Sequence, residues 1–276
     1  MRTEPSPAST ELGIVHSHYA SRHMASEQCV AEHGMSYILA GSLRVIEAGE
    51  SRIFEAGSLL FYRRNFLAKF TKQPAENGPF RAITVIFDHA LLQEFSQQYT
   101  VVSGEQPFVA STAVLALAHS PLLHCFYESL QHHFEVPLSA SAAKHKQQEA
   151  LQLLLETHPA LQQVLFDFGQ PGKINLETFM QQNFRFNVAP RQLAYLTGRS
   201  LAAFKRDFGK IFHTSPNRWL YQKRLEEAHY LLQEENKRPS DVYHEVGFES
   251  LAHFSSAFKQ LFGRTPSSVQ GAAPAH

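Results

Sequence analysis

The 276-residue chain is short of cysteine, the residue that holds disulfide scaffolds and dithiol redox motifs together. It has two cysteines, Cys29 and Cys125, which form no Cys-x-x-Cys pair and could make at most one bridge. A disulfide framework is thereby excluded, and both are expected as reduced thiols. No apolar run is long enough to span a bilayer and no secretory leader is recognisable, which points to a cytoplasmic protein. A Gly-x-Ser-x-Gly nucleophile elbow and a phosphate-cradling glycine loop are also lacking, so neither triad hydrolysis nor nucleotide hydrolysis is called for. An excess of charge of either sign is missing too: 25 Lys+Arg stand against 25 Asp+Glu.

That balance conceals two opposite halves. From Pro171 onward there are 14 Lys+Arg against 9 Asp+Glu, a net of +5, whereas residues 1–170 hold 11 against 16, a net of −5. A basic segment is the electrostatic footprint of a nucleic-acid binder, because neutralising phosphates supplies much of the affinity. A merely solvated charged face would account for Glu226, Glu227, Glu234 and Glu235 equally well. It does not account for Lys205-Arg206 in the repeated helix described next.

The basic half contains an internal repeat with an offset of fifty residues. Ser200-Leu201-Ala202, Phe204, Phe208, Phe212 and Pro216 return as Ser250-Leu251-Ala252, Phe254, Phe258, Phe262 and Pro266, seven identities in seventeen positions. Self-similarity of this kind signals a duplicated supersecondary unit. Phenylalanines four apart drift only about 40° per step on a helix, so each trio forms one apolar stripe. A serine fit to be an N-cap precedes each stripe, and a proline that cannot continue the helix is expected to end it. Before each copy lies a short helical stretch stopped by glycine, Val188–Gly198 and Pro239–Gly247. Helix, glycine turn, second helix is the helix-turn-helix plan, whose second helix enters the DNA major groove. One copy would be weak support, since structural helical domains share the shape; two copies on one joining helix are far more specific. That joining helix is expected from Pro216 to Glu234, with Trp219, Leu220, Leu225, Ala228, Leu231 and Leu232 on its apolar side. At about 1.5 Å per residue its eighteen or so residues span roughly 27 Å, near the roughly 34 Å between successive major grooves.

From about Ile174 to Gln270 the chain resembles the DNA-binding domain of the AraC/XylS family of bacterial transcription regulators. The resemblance rests on Leu193-Ala194, the Ser200–Phe208 helix, Ser215-Pro216, Arg224 and Ala228, and then on Gly247-Phe248, Phe254, Phe258-Lys259, Gly263 and Thr265-Pro266-Ser267. It implies a monomeric unit that sets two recognition helices in successive major grooves of double-stranded DNA. It also implies an activator, with RNA polymerase as a partner. Ala202, Lys205 and Arg206 are the implied base-facing residues of the first helix, with Lys210 near the backbone. In the second helix Leu251, Ala252, His253 and Ser256 face outward, and Ser255 and Lys259 lie towards phosphate. The serines that open the helices, Ser200 and Ser250, complete the candidate set. Arginine and lysine suit guanine O6/N7, and alanine suits a thymine methyl. The family often has arginine where Ser256 stands, so the first motif is expected to dominate specificity and the second to anchor.

Residues 1–170 read differently. Short apolar runs alternate with glycine turns: Tyr37–Leu39, Leu43–Ile46, Arg52–Phe54, Leu59–Tyr62 and the longer Arg81–Phe87. Such spacing suggests a small barrel or sandwich, and it is similar to the cupin-like barrel at the N-terminus of many members of the same family. The fold class is therefore α+β: a cupin-like regulatory and dimerisation domain over 1–170, and an all-α domain of two helix-turn-helix motifs over 171–276. Met1–Thr10 is expected to be disordered. Gly169–Lys173 reads as a short linker. Leu151, Leu154, Leu161, Leu165 and Phe168 form an apolar stripe that is either domain core or the seam of a homodimer.

A cupin enzyme or metal sensor fused to a helical module is the alternative reading. His16, His18, His23 and His33 crowd the N-terminus, yet residues 35–62, where a barrel's first metal motif would lie, contain no histidine. No metal, cofactor or catalytic residue is therefore assigned. The signal is expected to be a small molecule in the barrel, the usual case that the resemblance implies, or a protein partner.

Overall fold

The computed structural model describes residues 13–24, 28–99, 112–134 and 138–269, so Met1–Thr10 lies outside the described residues. The chain divides into two compact units between Gly169 and Gln170.

The first unit is built from antiparallel strands, several of them bounded by the glycine turns. They are β1 (Ile14–Tyr19), β2 (His23–Met24), β3 (Cys29–Val30), β4 (His33–Ala40), β5 (Ser42–Glu47) and β6 (Glu50–Glu55), followed by β7 (Leu59–Tyr62), β8 (Phe66–Leu67), β9 (Lys69–Gln73), β10 (Phe80–Phe87) and β11 (Val114–Ala116). One sheet runs β1-β10-β4-β7-β11, a second β2-β9-β5-β6, and β3 pairs with β8. Strand β10 explains why both faces of the large sheet are apolar. Successive side chains point to opposite faces of a strand. Phe80 and Ala82 accordingly join the interior between the sheets, with Leu43, Val45 and Leu60. Ile83, Val85 and Phe87 join the other face.

That other face must be covered, and helices cover it. They are α1 (His89–Ser96), α2 (Pro121–Gln131), α3 (Ala140–Thr157) and α4 (Gln162–Leu165). Leu151, Leu154, Leu161 and Leu165 are all at most 2% exposed there, packed with Met35, Phe61 and Leu123. Phe168 is partly buried against the same cluster. The stripe expected as a candidate dimer seam is therefore core. Its apolar face is spent on the barrel's outer wall.

The second unit is helical: α5 (Leu176–Asn183), α6 (Pro190–Leu196), α7 (Leu201–Phe212), α8 (Pro216–Gln233), α9 (Pro239–Glu245), α10 (Leu251–Phe262) and α11 (Pro266–Val269). The two copies of the repeat are α7 and α10, and α8 is the joining helix. Ser200 and Ser250 cap them by accepting from the backbone N–H of Ala203 and His253. Each such cap stabilises its helix by about 1 kcal/mol. Phe204 and Phe208, and Phe254 and Phe258, are buried. Helix α8 serves both copies: Trp219 packs on Phe208 and Phe212 at ring distances of 5.8 and 4.7 Å, and His229 on Phe258 and Phe262 at 5.9 and 4.7 Å.

The helix ends differ from expectation. Proline does not stop α7 or α10; Pro216 and Pro266 instead open the helices that follow, where a missing N–H costs nothing. The stop is a left-handed residue, His213 at φ 53° and Gly263 at φ 70°. A left-handed conformation costs a non-glycine residue roughly 1–2 kcal/mol. His213→Gly is thus expected to raise the melting temperature of this unit by a few degrees. An unchanged or lower midpoint in a thermal melt would show that position 213 holds no strain.

Candidate nucleic-acid interface

Each recognition helix is aimed by a turn that only glycine can make. Gly198 has φ 65°, and a Cβ there would lie 2.4 Å from the carbonyl carbon of Gly172. Gly247 has φ 97°, and a Cβ would lie 2.6 Å from the Arg185 carbonyl oxygen and 3.1 Å from Nε of Arg224. Both reasons for glycine apply at once: the left-handed backbone and the close approach.

The second turn presses on Arg224 because Arg224 joins the two motifs. From α8 its Nε donates to the Phe184 carbonyl at 2.7 Å and Nη2 to the Phe186 carbonyl at 2.7 Å. Its Nη1 reaches Oδ1 of Asn187 at 3.4 Å and the Gly247 carbonyl at 3.3 Å. Residues 184–187 connect α5 to α6 of the first motif, and Gly247 is the turn of the second. Asn187 adds a direct tie, its Nδ2 donating to Oε1 of Glu249 at 2.6 Å, and Arg185 pairs with Glu227 of α8. Burial lowers the Arg224 pKa to about 10, still high enough to keep the guanidinium charged at neutral pH. All three guanidinium nitrogens of Arg224 are engaged within the chain. The residue fixes one motif against the other.

On α7 the candidates Ala202, Lys205, Arg206 and Lys210 are exposed, on the side away from Phe204 and Phe208. On α10, Leu251, Ala252, His253, Ser256 and Lys259 are exposed, while Ser255 is half-buried. Ser200 and Ser250 are exposed as well. Their capping bonds engage one lone pair each and leave the O–H free to donate. The His253 ring lies 5.5 Å from that of Phe248 and 6.5 Å from that of Tyr221. It lines a cleft of about 540 Å³ with Asn217 of α8 and Pro190 of α6.

Two features escaped the sequence reading. Asp207 gathers three cations: Arg199 Nε at 3.3 Å, Arg206 Nη2 at 3.3 Å and Lys173 Nζ at 4.0 Å. Its slight burial would raise the carboxyl pKa, but the hydrogen bonds from Arg199 and Arg206 outweigh that and hold it below the usual range. Arg206 thus starts from a bond to its neighbour, and any contact it makes outside the chain must replace or share that bond. The signal was available, since the repeat has a small buried Ala257 where the first copy has Asp207. The second feature is Leu201, 37% exposed at the position that matches Leu251 at 41%. The repeat could have revealed it too.

The N-terminal histidines do not converge. His16 bonds the Leu130 carbonyl at 3.3 Å, His23 stacks on Tyr19 at 4.1 Å, and His33 is buried in a stack with Phe61 at 5.6 Å. Among the described residues no group of three His, Cys, Asp or Glu side chains could hold a metal ion. Among the same residues Cys29 and Cys125 are unbridged, and no helix is long and apolar enough to cross a membrane.

Two helix-turn-helix motifs locked to one spine, each with a capped and outward-facing second helix, define a DNA-binding transcription regulator. Residues 193–272 match the family model of a helix-turn-helix domain, and residues 33–164 match that of the ExsA N-terminal regulatory domain. The HTH-type transcriptional regulator ExsA of Pseudomonas aeruginosa is 27% identical over 243 residues, covering 86% of this chain and 85% of that protein. The virulence regulon transcriptional activator VirF of Yersinia enterocolitica is 30% identical over 102 residues, 37% of this chain and 38% of its own. Among solved structures, apo ToxT from Vibrio cholerae aligns over 93% of this chain and 96% of its own, at 10% identity and a TM-score of 0.45. The chain is thus similar to transcription regulators along most of its length, and its C-terminal part carries a helix-turn-helix domain.

Proposed function

We propose that this regulator is an activator which lays α7 and α10 into successive major grooves of one DNA face. The residues around 171–276 form its DNA-binding domain, and those around 1–170 form a regulatory domain that receives a small-molecule or protein signal. Ala202, Lys205 and Arg206 read bases, and Leu251, Ala252, His253 and Ser256 make the lesser reading. Ser200, Lys210, Ser250, Ser255 and Lys259 contact phosphate. It works in the cytoplasm beside RNA polymerase and catalyses no reaction. A homodimer, if formed, does not use the stripe of residues 151–168 as its seam.

The observation that supports this best is the Arg224 junction, which gives two exposed helices one fixed relation. A gel-shift titration on DNA from upstream of the protein's own coding region tests it, run with Arg206→Ala and with metal analysis of the purified protein. Arg206→Ala is expected to cost about 1–3 kcal/mol, roughly 5- to 150-fold in affinity, and to relax one base preference. Unchanged affinity with unchanged base preference would remove Arg206 from the reading set. Stoichiometric bound metal without any DNA shift would favour the enzyme or metal-sensor alternative.

A further inference from the structure

We infer that Asp207 is the positioning residue of the first recognition helix: braced by Arg199, its carboxylate holds one edge of the Arg206 guanidinium and leaves the terminal edge to meet a single guanine. The inference rests on the proposed reading that Arg206 contacts a base, and it names what aims that contact.

The links run outward from the backbone. Arg199 lies just before α7, and its side chain is nearly buried. Its Nη1 donates to the Thr197 carbonyl at 2.6 Å and to the Ile174 carbonyl at 3.0 Å. Its Nε donates to Oδ2 of Asp207 at 3.3 Å. The other carboxylate oxygen, Oδ1, accepts from Nε and from Nη2 of Arg206, both at 3.3 Å. An arginine tied to two carbonyls thus fixes the carboxylate, and the carboxylate holds the exposed arginine. A side chain that makes a specific contact is aimed only as well as the groups behind it are held.

These bonds leave Arg206 its terminal edge. A guanidinium carries five N–H donors in a planar fork. Asp207 takes the Nε–H and one N–H of Nη2, so among the described residues the second N–H of Nη2 and both of Nη1 have no acceptor. One donor on each terminal nitrogen makes the parallel pair that guanine O6 and N7 accept. Arginine has much rotamer freedom to lose, so a side chain held in advance loses less of it on binding. A held fork also cannot swing to suit another base, which favours discrimination over bare affinity. Nor does the carboxylate stand as a bare negative charge on the helix, because Arg199, Arg206 and Lys173 surround it.

The internal repeat supplies an independent argument. Fifty residues on, Arg199, Arg206 and Asp207 are matched by Glu249, Ser256 and Ala257. All three members of the network are replaced together, although the capping serine and the phenylalanines around them are kept. A carboxylate required by the fold of the motif would be required in both copies. Ala257 is 3% exposed, so the second copy packs a small apolar side chain at this position. Asp207 therefore accompanies the arginine and not the fold.

The test uses the full chain and a pool of random-sequence duplexes; bound DNA is selected and sequenced, which gives a base preference at every position. Arg206→Ala should flatten the preference at one guanine. Asp207→Ala should weaken the preference at that same position by roughly five-fold or more and leave the others within about two-fold. Asp207→Asn, which keeps an acceptor but not the charge, should fall between Asp207→Ala and the parent. In the Arg206→Ala background, Asp207→Ala should change no position further. Asp207→Ala carries the residue of the second copy and should melt as a folded unit; Asp207→Asn, of the same shape as the parent, decides the matter if it does not. An equal change at all positions would make Asp207 a structural tie or a mere charge. An unchanged profile would leave it idle, and an effect that persists without Arg206 would put its role elsewhere; each of these overturns the inference. An Arg206→Ala profile like the parent's would overturn the reading of a base by Arg206, and the positioning role with it. A guanine flattened in Arg206→Ala but intact in both Asp207 variants would keep that reading and remove Asp207 alone.

Discussion

Arg224→Ala is expected to lower the melting temperature of the C-terminal unit by roughly 10–20 °C and to weaken DNA binding in the same step. The guanidinium satisfies three backbone carbonyls, those of Phe184, Phe186 and Gly247. Alanine leaves them without their donor, at about 1 kcal/mol or more each, and opens space beneath the Gly247 turn. A total near 3 kcal/mol corresponds to a shift of this size in a unit of about a hundred residues. Arg224→Lys keeps the charge but not the planar fork, so it should fall between alanine and the parent. Differential scanning calorimetry and a gel shift on the same preparations check the pair. A variant that melts normally and loses only a base preference would mean that Arg224 reads DNA.

Leu165→Glu has the larger effect on the other unit. The side chain is fully buried against the outer wall of the barrel, and Leu161 beside it is 2% exposed. A carboxylate there has no partner among the cluster it enters, which costs more than about 4 kcal/mol and unfolds the unit. The expected result is insoluble protein, or soluble protein that has lost the near-ultraviolet circular dichroism of its first unit. The core of the C-terminal unit is a separate cluster, built from Leu225, Leu231, Phe254 and Phe258, and it should survive. A folded, monomeric Leu165→Glu protein would restore the stripe as a dimer seam.

The two helix-turn-helix copies were legible because the repeat states each feature twice. Capping serine, phenylalanine stripe and turn glycine are local signals whose meaning depends on neighbours within a few residues. The ends of α7 and α10 were misread because His213 carries no sign of a left-handed stop; only its repeat partner Gly263 does. Strands β4, β5, β6, β7 and β10 were marked by glycine turns and apolar runs. The two-residue strands β2, β3 and β8 exist only through their pairing partners, so no local pattern announces them. The stripe from Leu151 to Phe168 shows the limit of periodicity, which says that a face is covered but not by what. Arg224 was assigned to tie the motifs together, yet the carbonyls it binds lie 23 to 40 residues away and could not be named.

The Arg224 junction turns the C-terminal unit into a caliper whose jaws do not slide. On the proposed reading, the operator must then present its two boxes at one pitch. Inserting a single base pair between them would carry one box about 3.4 Å along the axis and turn it by about 34°, a displacement that neither jaw can follow. Point changes within a box would be forgiven one at a time, as each removes a single contact. A change in the gap would be forgiven by none of them, so the spacing between boxes is the part of the operator that this fold holds to most strictly.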